Sequence, residues 1–128
     1  MSIFELFIYA IGALLVVFLG RRMLQRARMK EYTPKQVAEM LNDTSIVLLD
    51  VRTSVERSRQ CIQGSLHIPL RDLVANVSNL EPFRSKEIIC YCHSGRRSMA
   101  AAEFLQKHGF HAANLHGGMT EWNYQNLK

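Results

Sequence analysis

Cys92-His93-Ser94-Gly95-Arg96-Arg97-Ser98 combines the residue types that activate a thiol and hold an anion beside it. An apolar run, Ile88-Ile89-Cys90-Tyr91, precedes the stretch, and a helical pattern, Met99-Ala100-Ala101-Ala102-Glu103-Phe104-Leu105, follows it. The pattern predicts a cysteine at the end of a buried strand, on a tight loop that opens directly into a helix. The first turn of a helix has unpaired N–H groups and a partial positive charge, so a thiol placed there ionises more readily. The thiolate is the nucleophilic form. Gly95 can supply the positive φ that lets successive amides curl inward as an anion nest. Arg96 and Arg97 add charge that does not titrate away. Cys92 is therefore the candidate nucleophile, whereas Cys90, mid-strand among apolar neighbours, reads as inert core.

Other cysteine chemistry fits less well. Three cysteines, Cys61, Cys90 and Cys92, at irregular spacing do not form a disulfide framework, and they suit a reducing compartment. Cys90-x-Cys92 is shorter than the two-residue spacing of redox and zinc pairs, and no second cysteine/histidine cluster completes a tetrahedral site. No metal and no organic cofactor is expected. Cys61 reads as a small packed residue, with a second redox thiol as the alternative.

The elements that position the loop alternate in type. Thr33-Pro34-Lys35-Gln36 is a helix start, with a threonine cap, proline at the first position and glutamine closing the capping box. Ile46 to Val51 is a continuous apolar run of strand length, the pattern of a strand buried on both faces. Ser54 is expected to cap a short helix running to Arg59, and Gly64 to Pro69 reads as a turn and short strand. Arg71 to Leu80 reads as a helix with Leu73, Val77 and Leu80 on one face. Glu87 to Tyr91 is the strand that feeds the cysteine, and Ser98 to His108 is a helix stopped by Gly109. Ala113 to Leu115 is a last strand, followed by Gly117-Gly118 and a terminal helix around Trp122. Such alternation predicts an α/β fold, a mainly parallel sheet with helices on both faces. Ligands of such sheets sit at the carboxyl ends of strands, where Cys92 falls.

The N-terminus has a different character. Ile3 to Gly20 is apolar on every side apart from Glu5. As a helix it would be about 27 Å long at ~1.5 Å per residue, close to the ~30 Å apolar thickness of a bilayer. A cleaved signal peptide carries its positive charge before the apolar run. Here the arginines follow it, so an uncleaved transmembrane helix over 3–20 is expected. The chain's net charge of +5 resides in Arg21, Arg22, Arg26, Arg28 and Lys30, a basic juxtamembrane linker over 21–30. From Glu31 onward 11 basic residues face 10 acidic ones, so there is no broad basic face for nucleic acid. Positive flanks stay in the cytoplasm. The expectation is a single-pass protein of a bacterial inner membrane, with its N-terminus outside and its catalytic domain, 31–128, in the cytoplasm. The bilayer is its partner through residues 3–20.

Four places, in order, make the region from residue 31 onward resemble a single-domain rhodanese, a sulfurtransferase. Leu49-Asp50-Val51-Arg52 with Glu56 is similar to the family's early acidic and arginine signature. Gly64-Ser65-Leu66-His67-Ile68-Pro69 is similar to its Gly-Ala-x-Asn-Ile-Pro turn. Cys92 to Ser98, with Ala101, Ala102 and Leu105, is similar to its active-site loop and helix. Leu115-His116-Gly117-Gly118-Met119 with Trp122 is similar to its closing element. The chain departs from the pattern at Gln60-Cys61-Ile62 and at His67.

The resemblance implies transfer of sulfane sulfur from a small donor such as thiosulfate to a thiol or protein acceptor through a persulfide on Cys92. His93, Ser94, Gly95, Arg96, Arg97 and Ser98 are the implied substrate-binding residues, with Arg97, and beside it Arg96, orienting the donor anion. Asp50 and Arg52 are implied to organise the loop region structurally. A cysteine phosphatase is the neighbouring enzyme reading. Its loop has histidine before the cysteine and arginine six positions after it, whereas here Tyr91 precedes Cys92 and Ser98 takes the sixth position. A non-catalytic, membrane-tethered persulfide carrier or docking module is the alternative from another class.

Overall fold

A computed structural model describes residues 1–127 of the chain. Lys128, the last residue of the expected domain, lies outside the described residues. The chain forms α1 (Ile3–Arg28), β1 (Glu31–Tyr32), α2 (Pro34–Met40), β2 (Ile46–Asp50), α3 (Ser54–Arg59), β3 (Leu66–His67), α4 (Leu73–Asn76), β4 (Glu87–Tyr91), α5 (Arg96–Lys107), β5 (His111–Leu115) and α6 (Gly118–Tyr124). The five strands make one parallel sheet in the order β1-β5-β4-β2-β3. Helices cover both faces, as the alternation of the sequence predicts.

The central strand, β4, explains why its run is unbroken by polar residues. Ile88, Ile89, Cys90 and Tyr91 are all fully buried, because successive side chains enter opposite faces and both are covered. Ile88 and Cys90 join Leu49, Leu73, Leu80, Ala101, Ala102 and Leu105 in one core. Ile89 and Tyr91 join Val37, Ala113, Met119 and Trp122 in the other. On α5 the buried residues Ser98, Ala101, Ala102 and Leu105 recur at helical spacing, so one stripe faces the sheet and the rest face outward.

Several elements differ from expectation: Glu31–Tyr32 adds an edge strand, β5 begins at His111 rather than Ala113, and Thr53 rather than Ser54 caps α3. The segment expected as one helix over Arg71–Leu80 is divided: a 3-10 turn over Leu70–Asp72, α4, and a second 3-10 stretch over Val77–Phe83. Its core-facing residues, Leu70, Leu73, Val77, Leu80 and Phe83, recur mostly every three positions. That spacing suits three residues per turn better than 3.6, and Pro82 has no amide to continue an α-helix. The helix after the cysteine begins at Arg96 rather than Ser98. Most of the basic segment, 21–30, is helical, because α1 runs unbroken from Ile3 to Arg28. Ser2 and Glu5 cap its start reciprocally. None of its residues is buried, and by length and composition it can cross a membrane. Met29, directly after it, enters the core.

Candidate active site

Cys92 follows the carboxyl end of β4, and α5 begins four residues later. Its side chain is nearly inaccessible, at 1 % exposure. The Gly95 amide donates to the Cys92 Sγ at 3.0 Å and the Ser98 hydroxyl donates to it at 3.3 Å. Gly95 adopts φ +100°, a left-handed conformation that turns its amide inward and that a side chain would strain. Burial pushes the Cys92 thiol up. Hydrogen bonds from the Ser98 hydroxyl and the amides of Ser98, Gly95 and Ser94 outweigh it, and hold the thiol below its ordinary value. Cys90, fully buried two residues earlier, is pushed up by that burial. The two cysteines at one strand end are thus shifted in opposite directions.

The loop is fastened from beneath by the closing glycines. The Met119 amide donates to the Cys92 carbonyl at 2.9 Å, and the Thr120 amide donates to the His93 carbonyl at 3.0 Å. The Thr120 hydroxyl donates to that same carbonyl at 3.0 Å. These bonds need α6 to approach the loop backbone to backbone. At Gly118 a Cβ would stand 2.7 Å from the His93 carbonyl oxygen and closer still to that of Cys92. The first turn of α6 therefore fixes where Cys92 and His93 sit.

Two buried or half-buried charge clusters brace the same region. Asp50, at the end of β2, is fully buried. It accepts from Arg52 Nε at 3.0 Å, Arg52 Nη2 at 2.8 Å, Arg57 Nη1 at 3.3 Å and the Tyr91 hydroxyl at 3.1 Å. Burial alone would raise the Asp50 carboxyl, and Arg52 above all reverses that and holds it below the usual value. Arg52 also donates to the Gln60 carbonyl at 2.6 Å, and its own carbonyl contacts the His67 ring at 2.8 Å. Asp50 and Arg52 thus tie β2 to the loop after α3 and to β3. The second cluster joins α3 to α5. Arg97 donates from Nη1 and Nη2 to the two carboxylate oxygens of Glu56 at 2.7 and 2.8 Å. Arg97 holds the Glu56 carboxyl down at about 2. Glu56 and the Cys92 thiolate both favour the charged guanidinium.

The candidate residues consequently divide. Cys92, Gly95 and Ser98 meet at the sulfur. Arg97 is half-buried and engaged by Glu56, while Arg96, His93 and Ser94 are exposed at the rim. Sequence reading missed Arg57, Ser65 and Tyr91, whose polar atoms complete the Asp50 cluster. The Tyr91 hydroxyl accepts from the Ile62 amide at 3.1 Å and lies 2.8 Å from the Ser65 hydroxyl. A tyrosine among strand aliphatics was the available signal, since a buried phenol requires a partner. Among the described residues, no cluster of three or more His, Cys, Asp or Glu is placed to hold a metal ion.

A thiolate stabilised by inward-facing amides at a strand end suits nucleophilic chemistry on an anionic or sulfur-bearing substrate. The rhodanese-like domain model matches residues 33–125. A sulfurtransferase of Allochromatium vinosum is 31% identical over 94 residues, 72% of this chain and 86% of that protein. The thiosulfate sulfurtransferase PspE of Escherichia coli is 27% identical over 73 residues, 57% of this chain and 70% of PspE. The crystal structure of a rhodanese-related protein from Thermoplasma volcanium superposes with a TM-score of 0.71 at 28% identity, covering 77% of this chain and 95% of that one.

Proposed function

The chain belongs to the rhodanese-like domain family, and from that premise we propose that it transfers sulfane sulfur through a persulfide on Cys92, tethered to a membrane by α1. The observation that carries the reading is the cradle of Cys92, whose sulfur receives the Gly95 amide and the Ser98 hydroxyl at the head of α5. In the first half-reaction the Cys92 thiolate attacks the outer sulfur of a donor such as thiosulfate. The S–S bond of the donor breaks, sulfite leaves with the electron pair, and Cys92 carries the persulfide anion. In the second, a thiolate or cyanide attacks the terminal sulfur and restores the Cys92 thiolate. The same hydrogen bonds to Sγ that favour the thiolate remain available when it returns as the leaving group of the second half-reaction.

Several features support the tether. α1 is long and apolar enough to span, it is exposed throughout, and arginines follow its apolar part. In the proposed orientation those arginines hold the domain in the cytoplasm, where a thiolate stays reduced.

The test is thiocyanate formation from thiosulfate and cyanide by full-length protein in detergent, with persulfide detection on Cys92. We expect turnover in the wild type and background in Cys92→Ser, with Cys90→Ser and Cys61→Ser retaining most of it. Persulfide formation without turnover would make the protein a carrier. The absence of persulfide with every donor would overturn the reading.

A further inference from the structure

The two arginines of the loop face different surroundings. Arg97 is neutralised by a two-pronged pair with Glu56. Arg96 is exposed and lines a cavity of about 400 Å³ together with Gly95, Met99 and Arg26. Arg26 belongs to α1 and lies outside residues 33–125, which match the family. It reaches the cavity because α1 continues past its apolar part to Arg28. The end of α1 is fastened to α5: Arg26 Nε lies 3.9 Å from Glu103 Oε1, and the Gln106 side chain donates to Met29 Sδ at 3.5 Å. Met29 is itself buried.

Gly95 belongs both to this cavity and to the cradle of the sulfur. It forms part of the wall, and its amide donates to Cys92 Sγ at 3.0 Å. Two guanidinium groups thus share a cavity wall with the backbone that cradles the thiolate. Glu103 offsets Arg26 only in part, through one long contact to a side chain 58% exposed. We propose that Arg26 of the N-terminal helix, with Arg96, forms the cationic mouth through which an anionic sulfur donor reaches Cys92, so that α1 is a component of the donor site as well as a tether. The identity of the anion as a sulfur donor rests on the sulfurtransferase reading; the cationic mouth does not.

The test compares alkylation of Cys92 by iodoacetate and by iodoacetamide in full-length protein in a nonionic detergent. Cys61, expected from the sequence to be a small packed residue, is exposed, and a Cys61→Ser background removes that thiol. Both reagents react with the same thiolate, so the ratio of their rates cancels its ionisation and access and reports the charge at the mouth. Arg26→Ala should lower the iodoacetate/iodoacetamide ratio by about threefold, the scale of one unit charge acting across a hydrated cavity. Arg26→Lys should restore most of it. Arg21→Ala removes an equal charge from the same helix, away from the cavity, and should leave the ratio unchanged. An unchanged ratio in Arg26→Ala, or an equal fall in Arg21→Ala, overturns the proposal. In parallel, Arg26→Ala should raise KM for thiosulfate, a dianion, by about three- to tenfold. If the wild type forms no persulfide, the sulfurtransferase reading fails, and the alkylation ratio still decides whether Arg26 guards the thiol.

Discussion

Arg97 gives its guanidinium to Glu56, with both nitrogens bound at 2.7 and 2.8 Å, although it stands in the loop that holds the Cys92 sulfur. The pair joins α5 to α3 across 41 residues of sequence. Arg97→Ala should therefore lower sulfur transfer from anionic and neutral donors alike by loosening the loop, whereas Arg96→Ala should selectively weaken the anionic donor. Steady-state kinetics with thiosulfate and a neutral organic polysulfide distinguish the two patterns. A selective loss of the anionic donor in Arg97→Ala would return Arg97 to the role its position in sequence suggests.

The same pair makes a pH-dependent contribution to stability. Glu56 has its folded pKa depressed from 4.5 to about 2. A depressed folded value means the contribution is complete above pH 4.5 and is lost as pH falls towards 2. Because both side chains are about a third exposed, solvent screening reduces it to roughly 1–2 kcal/mol. Urea denaturation of Glu56→Gln should show that deficit at pH 7 and a shrinking one as the pH falls below 4. A deficit that stays constant over this range would show that the ion pair contributes nothing.

Ser98 is fully buried, and its hydroxyl points at the Cys92 sulfur. Ser98→Ala removes one donor from the thiolate while adding no volume. The Cys92 thiol should titrate higher, and alkylation by iodoacetamide at pH 7 should slow by about three- to tenfold, the effect of one hydrogen bond to a charged acceptor. Following alkylation rate against pH, with Cys61 replaced, checks both.

Gly118→Ala should be among the most damaging single-methyl additions in the chain. Its Cβ would strike the carbonyl oxygens of Cys92 and His93, and its φ of +55° already disfavours a side chain. We expect a loss of about 2–4 kcal/mol and displacement of the loop, with sulfur transfer falling further than stability alone explains. Gly64→Ala provides the comparison, because φ is +83° there but the space around it is open. It should cost only about 1–2 kcal/mol, the backbone term by itself. Thermal denaturation and persulfide formation, measured on both variants, separate collision from strain.

Where the chain is cut should matter more than how much is removed. Deleting residues 1–28 removes α1 and should release a soluble domain that still transfers sulfur, with the raised KM for thiosulfate expected of Arg26→Ala. Deleting 1–30 also takes Met29 from the core and the Lys30 carbonyl, which accepts the Asn114 amide at 2.9 Å. It takes the Lys30–Glu87 ion pair at 3.1 Å as well. Burial of one methionine and one hydrogen bond amount to roughly 2–4 kcal/mol. The shorter domain should therefore melt about 10 °C or more lower than the longer one. Full-length protein should meanwhile resist a carbonate wash of membranes, and an impermeant thiol reagent applied to intact cells should leave Cys92 unlabelled.

Much of this protein is legible from short stretches of its sequence. The β4 run, the Cys92 loop and the start of α5 follow from local rules, because strand burial, helix-start geometry and a positive φ at glycine involve neighbours in the chain. The Thr33/Gln36 capping box is read in the same way and is present. What tertiary structure decided are the relationships between residues far apart. Position suggested that Arg97 faces the donor; its pairing with Glu56 depends on α3 packing beside α5. Tyr91 looked like one more apolar residue until Asp50, Ser65 and the Ile62 amide converged on its hydroxyl. Gly118 reads as a turn residue, and only the packing of α6 on the loop shows why no larger residue fits. Arg26 looked like linker charge, and the continuation of α1 past its apolar part placed it beside Gly95, Arg96 and Met99. Local conformation is set within a few residues along the chain, whereas the partner of a charge or the floor beneath a loop is set by which elements the core brings together.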